Sequence, residues 1–100
     1  MPKHIDAHVY APGNLRPEKR RVIGCDAAAV MHIVAKDRSI PGSAIVKLVD
    51  DGTTVAMFAV IPKGPVRVND RDAELLIRER DYAKRARMLA EVVRSALCRG

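Results

Sequence analysis

From His4 to Tyr10 apolar and polar residues alternate, with Ile5, Ala7 and Val9 on one side and His4, Asp6, His8 and Tyr10 on the other. A period of two sends successive side chains to opposite faces of an extended backbone, and it predicts a short, half-buried strand. Ala11-Pro12-Gly13-Asn14 ends that pattern. With a second proline at Pro17 and a basic cluster at Lys19-Arg20-Arg21, residues 11–21 read as a polar loop.

Residues 22–36 admit two readings. Asp26 ahead of Ala27-Ala28-Ala29 has the form of a helix cap. Against it, Val30, Ile33 and Val34 are β-branched, Val22-Ile23 upstream favours extension, and Ala29, Met31, Ile33 and Ala35 alternate. The expectation adopted is a strand over residues 29–36, with a helix as the alternative.

Asp37-Arg38-Ser39-Ile40-Pro41-Gly42 is a turn, followed by a strand over 43–49. Asp50-Asp51-Gly52 signals a hairpin, with Gly52 supplying the positive φ and residues 53–61 the partner strand. That partner is apolar on both faces, which places it inside a sheet rather than at its edge. Pro62-Lys63-Gly64-Pro65 ends it, and Val66-Arg67-Val68 has room for a short edge strand.

Asn69 or Asp70 then caps a helix predicted to run over about 70–97, with Asp70, Asp72 and Glu74 favourably placed in its first turn. Glu74–Arg78 and Asp81–Arg85 have the spacing of supporting i,i+4 pairs. Leu75, Tyr82, Ala86, Leu89, Val93 and Leu97 form a helical stripe expected to pack on the sheet. Toward the C-terminus Met88, Val92 and Ala96 widen it. About 28 helical residues span about 42 Å, more than the diameter of about 33 Å expected of a compact chain this size. An overhanging apolar end calls for a partner, so Met88, Val92, Val93 and Leu97 are expected at a homodimer or other protein contact. The fold class is therefore α+β: an antiparallel sheet of three to five strands against one long C-terminal helix, in a single domain over residues 1–100.

Composition narrows the rest. Of 100 residues, 48% are hydrophobic and 30% charged, which excludes a disordered chain. The longest apolar run, Val55 to Ile61, is too short to span a membrane, and the opening residues have no signal-peptide pattern, so a cytoplasmic protein without membrane contact is expected. The abundance of Arg and Ala fits a GC-rich bacterium or its phage. Tyr10, Phe58 and Tyr82 are the only aromatics, so the core must be aliphatic. Cys25 and Cys98 form neither a C-x-x-C pair nor a metal spacing and read as free thiols.

A formal charge of +6 favours polyanionic partners, DNA or RNA foremost. Opposite the apolar stripe, Arg80, Lys84, Arg87 and Arg94 make a basic ridge interrupted by Glu91, which could pair with Arg87. With Lys19, Arg20 and Arg21 these are the candidate phosphate contacts. No aromatic interleaves them, because Tyr82 is assigned to the core stripe.

Candidate chemistry is sparse. His4-x-Asp6-x-His8 sets three potential ligands on one strand face, but residues two apart on a flat strand, about 6.6 Å, converge poorly on one ion. Asp50-Asp51 is explained by its turn. His32 sits between apolar neighbours, and Cys25 has no base placed beside it by motif. No phosphate-binding loop, catalytic motif, metal site or cofactor motif is present. Three functions follow in order: a small basic nucleic-acid-binding or regulatory module, dimeric; a protein-binding adaptor or inhibitor of the phage or plasmid accessory kind, acting through the C-terminal helix; and a small enzyme or toxin relying on His8, His32 or an Arg cluster.

Overall fold

The computed structural model describes residues 3–98. In chain order these form β1 (Lys3–Tyr10), β2 (Glu18–Gly24), α1 (Ala27–Ala35), β3 (Ile45–Asp50), β4 (Thr53–Ile61), β5 (Gly64–Arg67), α2 (Asp70–Arg78) and α3 (Tyr82–Cys98). The strands make one antiparallel sheet in the order β2-β1-β3-β4-β5. The fold is α+β, as the alternation and the hairpin signal require. In the β3–β4 hairpin both Asp51 and Gly52 take positive φ, 50° and 78°, the backbone of a tight two-residue turn matched to strand twist.

Both faces of the sheet are used. Ile5, Ala7 and Val9 of β1, Val46 and Leu48 of β3, and Ala56, Phe58 and Val60 of β4 pack under Val30, Met31 and Val34 of α1. The alternate residues Ile45 and Ala59 form a second core with Val68, Ala73, Leu76, Ile77 and Leu89, below α2 and α3. Apolar positions on both sides of β4 thus reflect a strand with helices above and below it. Phe58 is fully buried, and an aromatic side chain removed from water this way contributes about 2–3 kcal/mol.

Three expectations are corrected. Residues 27–35 are a helix, where a strand over 29–36 was expected. Asp26 accepts a hydrogen bond from the Ala29 amide at 2.8 Å, and Val30, Met31 and Val34 share one buried face at helical spacing. A run apolar at nearly every position carries both periods, so the cap and the sheet beneath decide. At Gly24 an added Cβ would lie 2.5 Å from Val30 Cγ2, so the bare glycine is what lets Val30 of α1 pack against the end of β2.

Residues 18–24, expected mostly in a loop, are edge strand β2, paired to β1 from Lys3–Gly24 to Val9–Glu18. Charged side chains suit an edge, where they discourage pairing with another sheet.

The single helix over 70–97 is two helices, separated by Glu79-Arg80-Asp81. Glu79 is extended, with ψ 117°, and Asp81 caps the second helix by accepting from the Lys84 amide at 3.1 Å. The break lets α3 fold back beside α2 over β5, while α2 lies over β3 and β4. No 42 Å overhang forms, and the C-terminal helix has 17 residues. Asn69 caps α2, accepting from the Asp72 amide at 2.8 Å.

The break also rotates the stripe. Tyr82 is 80% exposed and Leu97 62%, whereas Arg85 is 4% exposed. Arg85 does not pair with Asp81. Its Nε donates to the Leu76 carbonyl at 3.1 Å and its Nη2 to the Ser43 carbonyl at 2.6 Å. Burial pushes the guanidinium below its ordinary pKa.

Candidate nucleic-acid interface

The seven candidate cations lie on three surfaces. Arg20 is on the α1 side of the sheet, where it bonds Glu18 at 2.7 Å, Asp37 at 2.9 Å and the Ser39 hydroxyl at 2.6 Å. The two carboxylates, Glu18 first and then Asp37, raise the Arg20 pKa. In turn the Ser39 hydroxyl and amide, with Arg20 behind them, hold the Asp37 carboxyl below its usual range. Arg20 is thus engaged in tying β2 to the α1–β3 loop.

Lys19 and Arg21 point to the opposite face. Arg21 Nε is 3.4 Å from Asp6 Oδ1, while no described carboxylate lies within ion-pair distance of Lys19.

Arg80, Lys84, Arg87 and Arg94 form the third group, on the solvent side of α3 and the turn before it. Lys84 Nζ is 3.5 Å from Glu79. The expected Arg87–Glu91 pair is not formed among the described residues; Glu91 faces the cleft between α2 and α3. Among the described residues Arg80, Arg87 and Arg94 have no acidic partner. Tyr82, between Arg80 and Lys84 in the sequence, is exposed. Sequence reasoning missed this aromatic because an unbroken helix carried Tyr82 into the core. Asp81 directly before it, with the form of an N-cap, is the local signal that could have found it.

The expected protein-contact residues divide as well. Met88, Val92 and Val93 are half-buried against the second core, and Leu97 is exposed. Met88 and Val92 line a cleft of about 310 Å³ with Leu75, Leu76, Asp72, Glu91 and Ser95. A second cleft of about 240 Å³ adjoins it through Asp72, Val92 and Ser95.

Among the described residues no three His, Cys, Asp or Glu side chains gather where they could hold a metal ion. Cys25 and Cys98 are exposed free thiols. No helix among the described residues is long and apolar enough to cross a membrane. Comparison with known protein families, curated proteins and solved structures finds no match to this chain.

Proposed function

We propose that this chain is a small basic nucleic-acid-binding module that contacts phosphates through the solvent side of α3. One observation carries the reading: Arg80, Arg87 and Arg94 have no acidic partner among the described residues, and Tyr82, two residues after Arg80, is 80% exposed. Free guanidinium groups attract phosphate and release its counterions. An exposed ring offers a base a stacking surface.

The test is fluorescence anisotropy of labelled RNA and DNA across a salt series. Affinity should fall with a log–log slope that drops by about 0.7–0.9 for each phosphate contact removed, here through Arg80→Ala, Arg87→Ala and Arg94→Ala. Absence of binding even at low salt defeats the reading.

The α2–α3 cleft favours a second reading. Leu75, Met88 and Val92 supply an apolar floor, and Asp72 and Glu91 an acidic rim. That chemistry suits a basic amphipathic helix of a partner protein. Val92→Glu should abolish such binding and leave the fold intact by circular dichroism. Sedimentation of the free protein reports whether a second copy occupies the cleft instead.

A further inference from the structure

The helices leave half of one sheet face open. On the side opposite α1, α2 covers β3 and β4 and α3 covers β5, and of β1 only its last residue, Tyr10, packs against that second core, so the rest of β1 and β2 lie outside the main helical cover on that side. With Ile5, Ala7 and Val9 buried under α1, the intervening residues of β1 face the other way; Tyr10 packs against the second core, which leaves His4, Asp6 and His8 on the open part. Two of these three are rings.

Strand register sets cations beside the rings. His8 is paired with Lys19 of β2 on one side and Lys47 of β3 on the other. Asp6 lies opposite Arg21, and His4 opposite Ile23, which is 56% exposed. Lys47 Nζ sits 5.5 Å from the centre of the Tyr10 ring and bonds Glu74 of α2 at 2.7 Å, which marks where the helical cover begins. The open area is therefore a strip two strands wide, floored by His4, Asp6, His8 and Ile23, edged by Lys19 and Arg21 and bounded by Tyr10, Lys47 and α2.

We propose that this strip is a second binding surface, specific for single-stranded nucleic acid. The inference takes its class of ligand from the nucleic-acid reading above but concerns a different face. Unpaired bases can lie flat on His rings, whereas in a duplex those base faces are already stacked. Lys19 and Arg21, two residues apart on β2, stand about 6.6 Å from each other, comparable to the step between successive phosphates of an extended strand. The Arg21–Asp6 contact is exposed, and exposed pairs of this kind are weak, so a phosphate can replace Asp6 at little cost. His8, between two lysines, would hold the central base.

The test uses the full chain with a 12-nucleotide oligouridine, the corresponding oligothymidine and a duplex of equal length. Single strands should bind at least about tenfold tighter than the duplex. His8→Ala should weaken single-strand binding about five- to tenfold or more, whereas His8→Phe, which keeps a ring, should stay near wild type. Lys19→Ala combined with Arg21→Ala should weaken it further, and amide NMR shifts on oligonucleotide addition should map to β1 and β2. RNA and DNA binding alike identify base and phosphate as the ligand; RNA preference adds a contact to the 2′-hydroxyl. Equal or tighter duplex binding overturns the inference. So does wild-type affinity in the β1–β2 variants when the α3 variants bind weakly, and in that case the α3 reading survives. No binding to any probe at low salt removes both.

Discussion

Arg85 donates from Nη2 to the carbonyl oxygen of Ser43, a residue 42 positions earlier in the chain, at 2.6 Å. Through Nε the same guanidinium reaches Leu76 at 3.1 Å. One planar side chain therefore ties the end of α2, the start of α3 and the entry to β3. It fixes where α3 begins and hence where Tyr82 and the ridge behind it stand.

Arg85→Ala should destabilise the fold by about 3 kcal/mol, because a buried and a partly buried carbonyl lose their donor and the alkyl stem loses its packing. Arg85→Lys should recover less than half, since an ammonium cannot present two fixed, planar donors to both oxygens. Urea unfolding of the three proteins measures this. A cost below about 1 kcal/mol for Arg85→Ala would mean that the bonds do not hold the helices.

Ser43 itself sits at φ 68°, in the left-handed region. Its amide donates to Val60 at 2.7 Å, so the chain cannot relax without breaking the link to β4. Ser43→Gly should be neutral or stabilising by up to about 1 kcal/mol, the relief of φ strain being offset by added freedom in the unfolded chain. Ser43→Val, β-branched at a positive φ, should cost about 1–2 kcal/mol. Thermal melts that place the two variants in the reverse order would contradict this account.

The Lys47–Glu74 contact predicts an acid dependence. The Lys47 hydrogen bond, with its charge and that of Arg78, holds the Glu74 carboxyl below its ordinary 4.5. A carboxylate depressed in the folded state stabilises it fully above the unfolded value and loses that contribution as pH falls through the folded one. Glu74 is nearly half exposed, so solvent limits the effect to about 1 kcal/mol or less. Between about pH 5 and about pH 3 the melting temperature of the wild type should fall more steeply than that of Glu74→Gln. Parallel curves would show that the pair does not contribute.

Tyr82 separates nucleic-acid binding by stacking from binding by charge alone. Tyr82→Ala should weaken single-strand binding by about five- to a hundredfold, and Tyr82→Phe, which keeps the ring, should stay close to wild type. The ring is 80% exposed, so neither change should move the melting temperature. Equal affinity for all three proteins would leave α3 with backbone charge only.

What the sequence determined by itself is local. Alternation from His4 to Tyr10 assigns β1 and the face of each of its side chains, and Asp51-Gly52 closes the β3–β4 hairpin. Asn69 starts α2 as its position implies. These elements follow from backbone sterics and from side chains bonding to amides close by in the chain. Tertiary structure decided the remainder. Residues 27–35 are apolar at nearly every position and carry the periods of helix and strand together, so the sheet under Val30, Met31 and Val34, acting with the Asp26 cap, selects the helix. The break at 79–81 contains neither glycine nor proline; packing α3 back over β5 and satisfying Leu76 and Ser43 through Arg85 maintain it. The candidate sites divide in the same way. The cations were legible as residue types, but the division of Lys19 and Arg21 from Arg20, the exposure of Tyr82 and the uncovered half of the sheet depend on which strands pair and where α2 and α3 come to rest. Contacts between residues distant in the chain set those positions, and no local pattern encodes them.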